Sequence, residues 1–158
     1  MKRNHTIDVY INQINKLKAI RPDIYLSSDF IIGFPGETDQ DFQDTLNLAK
    51  ELNFDHSYSF IYSKRPGTPA AELPDDVSFT TKKERLAEFQ QVIIDSTLAK
   101  THEMVGTTTR VLVEQVANRH PDCLIGTADN TRTVMFPHDV EKMNELLGQL
   151  VSVRITDF

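Results

Sequence analysis

Cysteine is nearly absent: Cys123 is the single one in 158 residues. One thiol excludes an intramolecular disulfide, and it cannot hold an iron–sulfur cluster, which takes three or four thiolates. No apolar run approaches the ~18–20 residues that a membrane-spanning helix needs. The opening Met1-Lys2-Arg3-Asn4-His5-Thr6 has no apolar stretch of the signal-peptide kind. These absences predict a cytoplasmic, disulfide-free chain with no membrane partner. Positive charge is also in short supply. Seventeen Lys and Arg face 23 Asp and Glu, for a formal net charge of −6. Up to Gly106 the chain has 12 basic and 16 acidic residues, and beyond it 5 and 7. Neither part has the basic footprint of a stand-alone nucleic-acid binder, so in any RNA contact shape, stacking or a missing segment must do much of the work. His5, His56, His102, His120 and His138 show no metal-ligand spacing, and no nucleophilic triad is visible. No lysine stands where a phosphate-binding P-loop needs one.

What is present divides into three stretches. Thr6 precedes Ile7, Tyr10, Ile11, Ile14 and Leu17 at helical spacing, and Arg21-Pro22 ends that helix. Residues 24–32 read as a strand. Thr38 caps a second helix with acids in its first turn and a core face of Phe42, Leu46 and Ala49. Asn53 ends it, and residues 55–62 read as a second strand. Helix–strand–helix–strand implies parallel strands from an α/β sheet or barrel. A Pro-rich connection over 64–80 follows. Thr81-Lys82-Lys83-Glu84 reads as a capping box opening a helix to about Val105, with Leu86, Phe89, Ile93 and Met104 on one side. After Gly106 come short strand candidates at 108–115, 123–128, 131–136 and 149–156, with a turn at Asp129-Asn130, as in a small antiparallel barrel.

Ligands in parallel α/β folds bind where loops leave the C-terminal ends of strands. Two such loops are visible, Gly33-Phe34-Pro35-Gly36-Glu37-Thr38 and Ser63-Lys64-Arg65-Pro66-Gly67-Thr68-Pro69. Sequential parallel strands bring both to one edge, which predicts that Gly36, Glu37, Arg65 and Thr68 lie near one another. The same loops also read as plain turns set by Gly and Pro. Leu26, Ser28, Phe30 and Ile32 form the helix-facing side of the first strand, so Asp29 is expected on the inner side, buried and in need of a partner. In the second strand the alternation favours Ser57 and Ser59 inward, leaving a hollow; the opposite assignment fills it with Tyr58 and Phe60. The acids Glu37, Asp39 and Asp41 at the helix start disfavour phosphate and suit a cationic group.

Two strings carry a resemblance. Ser28-Asp29-Phe30-Ile31-Ile32-Gly33-Phe34-Pro35-Gly36-Glu37-Thr38 is similar to the segment of radical SAM methylthiotransferases that contacts S-adenosylmethionine (SAM). Tyr62-Ser63-Lys64-Arg65-Pro66-Gly67-Thr68-Pro69-Ala70-Ala71 resembles their later barrel loop, in the Arg-Pro-Gly form of the MiaB-like, tRNA-modifying branch. Lys2-Arg3-Asn4-His5-Thr6 and Lys18-Ala19-Ile20-Arg21-Pro22-Asp23 fit the same branch. Residues 107–157 resemble a TRAM domain, a small β-barrel that contacts RNA.

The resemblance implies a C-terminal portion of such an enzyme, ending short of the family's last strand and lacking the upstream cysteines that bind its two [4Fe–4S] clusters. It implies a partial radical SAM (TIM-like) barrel over 1–80, a connecting helix over 81–105 and a truncated TRAM domain over 106–158. Asp29, Gly33, Phe34, Pro35, Gly36 and Glu37 would contact SAM, and Arg65, Thr68, Arg110 and Arg132 the substrate. The implied reaction adds a methylthio group to C2 of isopentenyladenosine beside the tRNA anticodon. Partners would be the tRNA anticodon stem-loop and the N-terminal part of the same polypeptide. This chain alone is expected to be inactive and to bind no cluster. Three other readings remain open at this point: an RNA-docking fragment without catalysis, a RimO-like enzyme acting on a ribosomal protein, and a self-contained α/β scaffold.

Overall fold

The computed structural model describes residues 4–158, excepting the side chains of Val140, Met143 and Asn144; Lys2 and Arg3, which carry part of the resemblance, lie outside it. The chain forms two compact units, one up to Ala99 and one over Lys100–Phe158.

The first unit begins with helix α1, Ile7–Ile20. Strand β1, Ser27–Ile32, leads to helix α2, Asp39–Leu52, and strand β2, His56–Ile61, pairs with β1 in parallel. Parallel neighbours need a crossover, and α2 is that crossover. Its start is fixed by a full capping box: Thr38 accepts from the Asp41 amide while Asp41 accepts from the Thr38 amide. Its end is fixed by Asn53 in the left-handed conformation at φ 51°. The amphipathic pattern puts Phe42, Leu46, Ala49 and Leu52 in a core with Leu26, Ile32, Phe54, Phe89 and Ile93. Asp55 ties the strand entry from both sides of its backbone: its carboxylate accepts from the Leu26 amide at 2.8 Å, and its own amide donates to the Leu26 carbonyl at 2.9 Å.

Helix α3 spans Phe79–Met104. It starts two residues before the expected box, because Ser78 is the capping residue: its hydroxyl accepts from the Thr81 amide at 3.1 Å. Phe89 and Ile93 of α3 join the first core, as their spacing predicts.

The serine expectation for β2 fails. The register sets Asp29 beside Tyr58 and Ile31 beside Phe60, and both aromatic side chains are exposed, at 59% and 56%. Ser57 and Ser59 lie on the helix side, half-buried, where Gln90 donates to Ser59. Phe30 and Phe89 explain the inversion: their ring centroids lie 4.5 Å apart and occupy the volume over the neighbouring strand, so only small residues fit beside them. Asp29 does lie opposite the helix side, but it is exposed and not buried.

The second unit is a curled antiparallel sheet in the order β5-β4-β3-β6, made from β3 (Thr108–Ala117), β4 (His120–Ala128), β5 (Thr133–Pro137) and β6 (Leu150–Arg154). Two register irregularities between β3 and β4, at Val113/Gln115 and Val116/Ala117, supply the bend. Gly126 allows the two strands to approach closely, since a Cβ there would lie 2.2 Å from the Leu112 carbonyl oxygen. In place of a closed barrel, β5 and β6 are the sheet's two edges.

Candidate functional site

The loop over residues 33–38 leaves the C-terminal end of β1 and runs into α2. Gly33 and Gly36 adopt φ +73° and +81°, a region open to glycine and strained for other residues. Their reasons differ. A Cβ on Gly36 would meet nothing within 4 Å, so this glycine serves the turn and leaves open space above it. A Cβ on Gly33 would lie 2.3 Å from the Lys82 side chain, so that glycine makes room for α3.

The loop is held by charged groups from three segments. The Glu37 carboxylate accepts from the Gly33 amide at 3.0 Å, and Asp76 accepts from the Gly36 amide at 2.7 Å. Arg85 of α3 donates to the Glu37 carbonyl, the Glu37 carboxylate and the Asp39 carboxylate at 3.1, 2.8 and 2.5 Å. Its guanidinium also lies 5.4 Å from the Phe42 ring centre. Lys82 reaches Asp75 at 2.5 Å and lies 5.4 Å from the Tyr62 ring centre. The side chains of Lys82, Arg85 and Glu37 are only 4%, 9% and 10% exposed. Burial on its own depresses the Arg85 pKa, and the hydrogen bonds and charges of Asp39 and Glu37 together outweigh it, so the guanidinium stays above its ordinary value.

The two strand-end loops meet through aromatic side chains. Phe34 packs edge-on against Tyr62 with centroids 5.2 Å apart, and the Tyr62 hydroxyl donates to the Ala70 carbonyl at 2.9 Å. Arg65 and Thr68 are exposed, and Thr68 turns back to donate to the Arg65 carbonyl. Pro35 is buried, Phe34 half-buried and Gly36 exposed. Lys82, Arg85, Asp75 and Asp76 were not among the residues singled out from sequence. The signal was the i, i+3 spacing of two cations on the same side of α3 as Phe89.

In the second unit a groove of about 890 Å³ lies between the two sheet edges. Val134, Phe136, Val151 and Val153 give it an apolar floor, with Arg132 and Arg154 among its polar residues. Arg132 donates to the Thr101 hydroxyl at 3.2 Å. Arg110 is exposed and forms a two-pronged pair with Asp129, at 2.9 and 3.3 Å. Cys123 is half-buried; desolvation, then the Asp122 charge and hydrogen bond, push its thiol pKa up. Among the described residues no group of three or more His, Cys, Asp and Glu side chains could hold a metal ion, and no helix is long and apolar enough to cross a membrane.

Comparison with known proteins gives this arrangement relatives. Residues 102–158 match the TRAM domain family. Over all 158 residues the chain is 94% identical to the tRNA-2-methylthio-N(6)-dimethylallyladenosine synthases of Psychrobacter cryohalolentis and Psychrobacter arcticus. Over 157 residues it is 58% identical to the synthase of that name from Acinetobacter baumannii. The chain spans 32% of the length of each of these relatives, and it is homologous to that part of them.

Proposed function

We propose that the chain works as the SAM-loop and TRAM part of a tRNA methylthiotransferase that modifies C2 of isopentenyladenosine next to the anticodon. The observation that carries this reading is 94% identity over all 158 residues to synthases of that name. On it, β1 and β2 are strands of a radical SAM barrel whose remaining strands lie in the part of the relatives that the chain does not span. Residues 1–80 then belong to the barrel, 81–105 connect, and 106–158 form the TRAM domain. The exposed face of Asp29, Ile31, Tyr58 and Phe60 is the lumen wall, which accounts for apolar and acidic side chains on the side away from the helices.

The loop fits SAM better than a phosphate. Its Gly33 and Gly36 amides are already engaged by carboxylates, so the usual anion-binding donors of a helix start are in use. The open space over Gly36 admits a ligand, with Asp29, Phe34 and Pro35 alongside in sequence. SAM supplies a methyl group and, when cleaved reductively, a radical that abstracts hydrogen. In this chain Gly36 would give it backbone access, and Asp29 would face its cationic end. Glu37 acts behind the loop, since its oxygens are engaged by Gly33 and Arg85. The donor set does not fit an iron–sulfur cluster, so cluster ligands belong to the remainder of such an enzyme. Arg65 and Thr68 would face the reacting nucleoside, and Arg110 and Arg132 the RNA. The groove between β5 and β6 adds an apolar floor that suits stacking more than phosphate binding.

A chimera tests the reading. With this chain in place of the matching segment of the Psychrobacter cryohalolentis synthase, the reconstituted enzyme should bind SAM and tRNA and methylthiolate the tRNA. A folded, cluster-loaded chimera that binds neither ligand would contradict it.

A further inference from the structure

We propose that Arg85 is a positioning residue for SAM, acting through Glu37 and the loop over residues 33–38; this rests on the reading of that loop as the SAM site. Within itself the loop is held by a backbone bond from the Glu37 amide to the Phe34 carbonyl at 2.9 Å and by the Glu37 carboxylate on the Gly33 amide. Two of its glycines sit at positive φ, and the space above Gly36 is open. Both internal bonds run through Glu37, and Glu37 is held from behind by Arg85. One guanidinium, 9% exposed, bonds both the backbone and the carboxylate of Glu37 and then the first residue of α2, Asp39. The other Glu37 oxygen holds the Gly33 amide. A continuous chain of bonds therefore runs from α3 through Arg85 and Glu37 to Gly33, the residue that follows β1. Lys82 buttresses the same point, since its stem fills the space over Gly33 that a side chain would otherwise take.

Chemistry requires arginine here. Three acceptors on two residues are reached by one planar fork, whereas a compact, strongly hydrated ammonium on a flexible stem cannot span them in one geometry. Removing the fork leaves the Glu37 carboxylate buried with one bond fewer, and the ligand-side backbone of 33–36 is then free to relax. The cost falls on binding geometry ahead of the chemical step, because Arg85 lies behind the loop and not toward the ligand.

The test uses the chimeric synthase described above, with Arg85→Met, Arg85→Lys and the double variant Arg85→Met/Glu37→Gln. Thermal melts establish that each is folded. SAM affinity is read by equilibrium dialysis, and KM for SAM is separated from kcat by steady-state methylthiolation. Arg85→Met should weaken SAM about tenfold, with the change appearing in KM and kcat falling much less. Arg85→Lys should recover only part of the loss, and the double variant should be no worse than Arg85→Met. A folded Arg85→Met variant with unaltered SAM affinity overturns the positioning role while leaving the SAM site intact. If the unmutated chimera binds no SAM, the site assignment itself fails, and this inference with it.

Discussion

Arg85 donates from one nitrogen to both the carbonyl and the carboxylate of Glu37, at 3.1 and 2.8 Å, across 48 residues of sequence. This pair joins the strand-end loop to α3 in the first unit. Removing one member of a buried pair strands the other, which typically costs about 3–5 kcal/mol. Arg85 keeps Asp39, so Glu37→Ala should cost about 2–3 kcal/mol, between a lost charged hydrogen bond and a fully broken pair. Urea denaturation of wild type and variant measures it, and a difference below about 0.5 kcal/mol would show that the pair holds little.

The capping box of α2 predicts a pH dependence. Hydrogen bonds from the Thr38 hydroxyl and amide hold the Asp41 pKa below its ordinary 3.8. A carboxylate with a depressed folded-state pKa contributes stability above its unfolded value and loses it as pH falls through the folded value. The melting-temperature advantage of wild type over Asp41→Asn should therefore be full near pH 6 and shrink below about pH 4. An advantage that grows on acidification would reverse the assigned sign.

Gly126 predicts a local packing limit in the second unit. A side chain there meets backbone, the Leu112 carbonyl, which cannot rotate away. Gly126→Ala should destabilise the sheet by about 1–3 kcal/mol, the usual range for overpacking. Thermal denaturation followed by the β-sheet signal reports it. An unchanged melt would mean that β3 and β4 separate easily at this point.

The exposed side of the β1–β2 sheet predicts self-association. Tyr58 and Phe60 are more than half exposed, and Ile31, also exposed, pairs with Phe60 across the strands. Two parallel strands with an uncovered apolar face are a poor structure in water. The chain by itself should form oligomers in size-exclusion chromatography with light scattering, and Tyr58→Ser/Phe60→Ser should shift it toward monomer. A sharp monomeric profile for wild type would favour a self-contained scaffold.

Local chemistry was legible in the sequence where it decided structure. Thr38 and Asp41 announced the start of α2, Asn53 its end, and Phe42, Leu46 and Ala49 its buried stripe. Asp129-Asn130 marked the turn before β5. Faces and long-range partners were harder. Alternation in β2 separates serines from aromatics but does not say which set meets the helices; that was decided by Phe30 and Phe89, from elsewhere in the chain. The clamp on the loop was hidden for the same reason. The helix pattern of α3 does not say what Lys82 and Arg85 meet, and only the fold sets them against Gly33 and Glu37. Nor does spacing reveal that the Gly33 and Gly36 amides are taken by Glu37 and Asp76.

The most direct measurement is nucleoside mass spectrometry on tRNA from cells whose own synthase gene has been deleted. Cells expressing the Psychrobacter chimera that carries this chain should recover the methylthiolated isopentenyladenosine. Cells expressing this chain alone should retain the unmodified prenylated nucleoside. Failure of a folded, cluster-loaded chimera to restore the modification, or its appearance with the chain alone, would contradict the account.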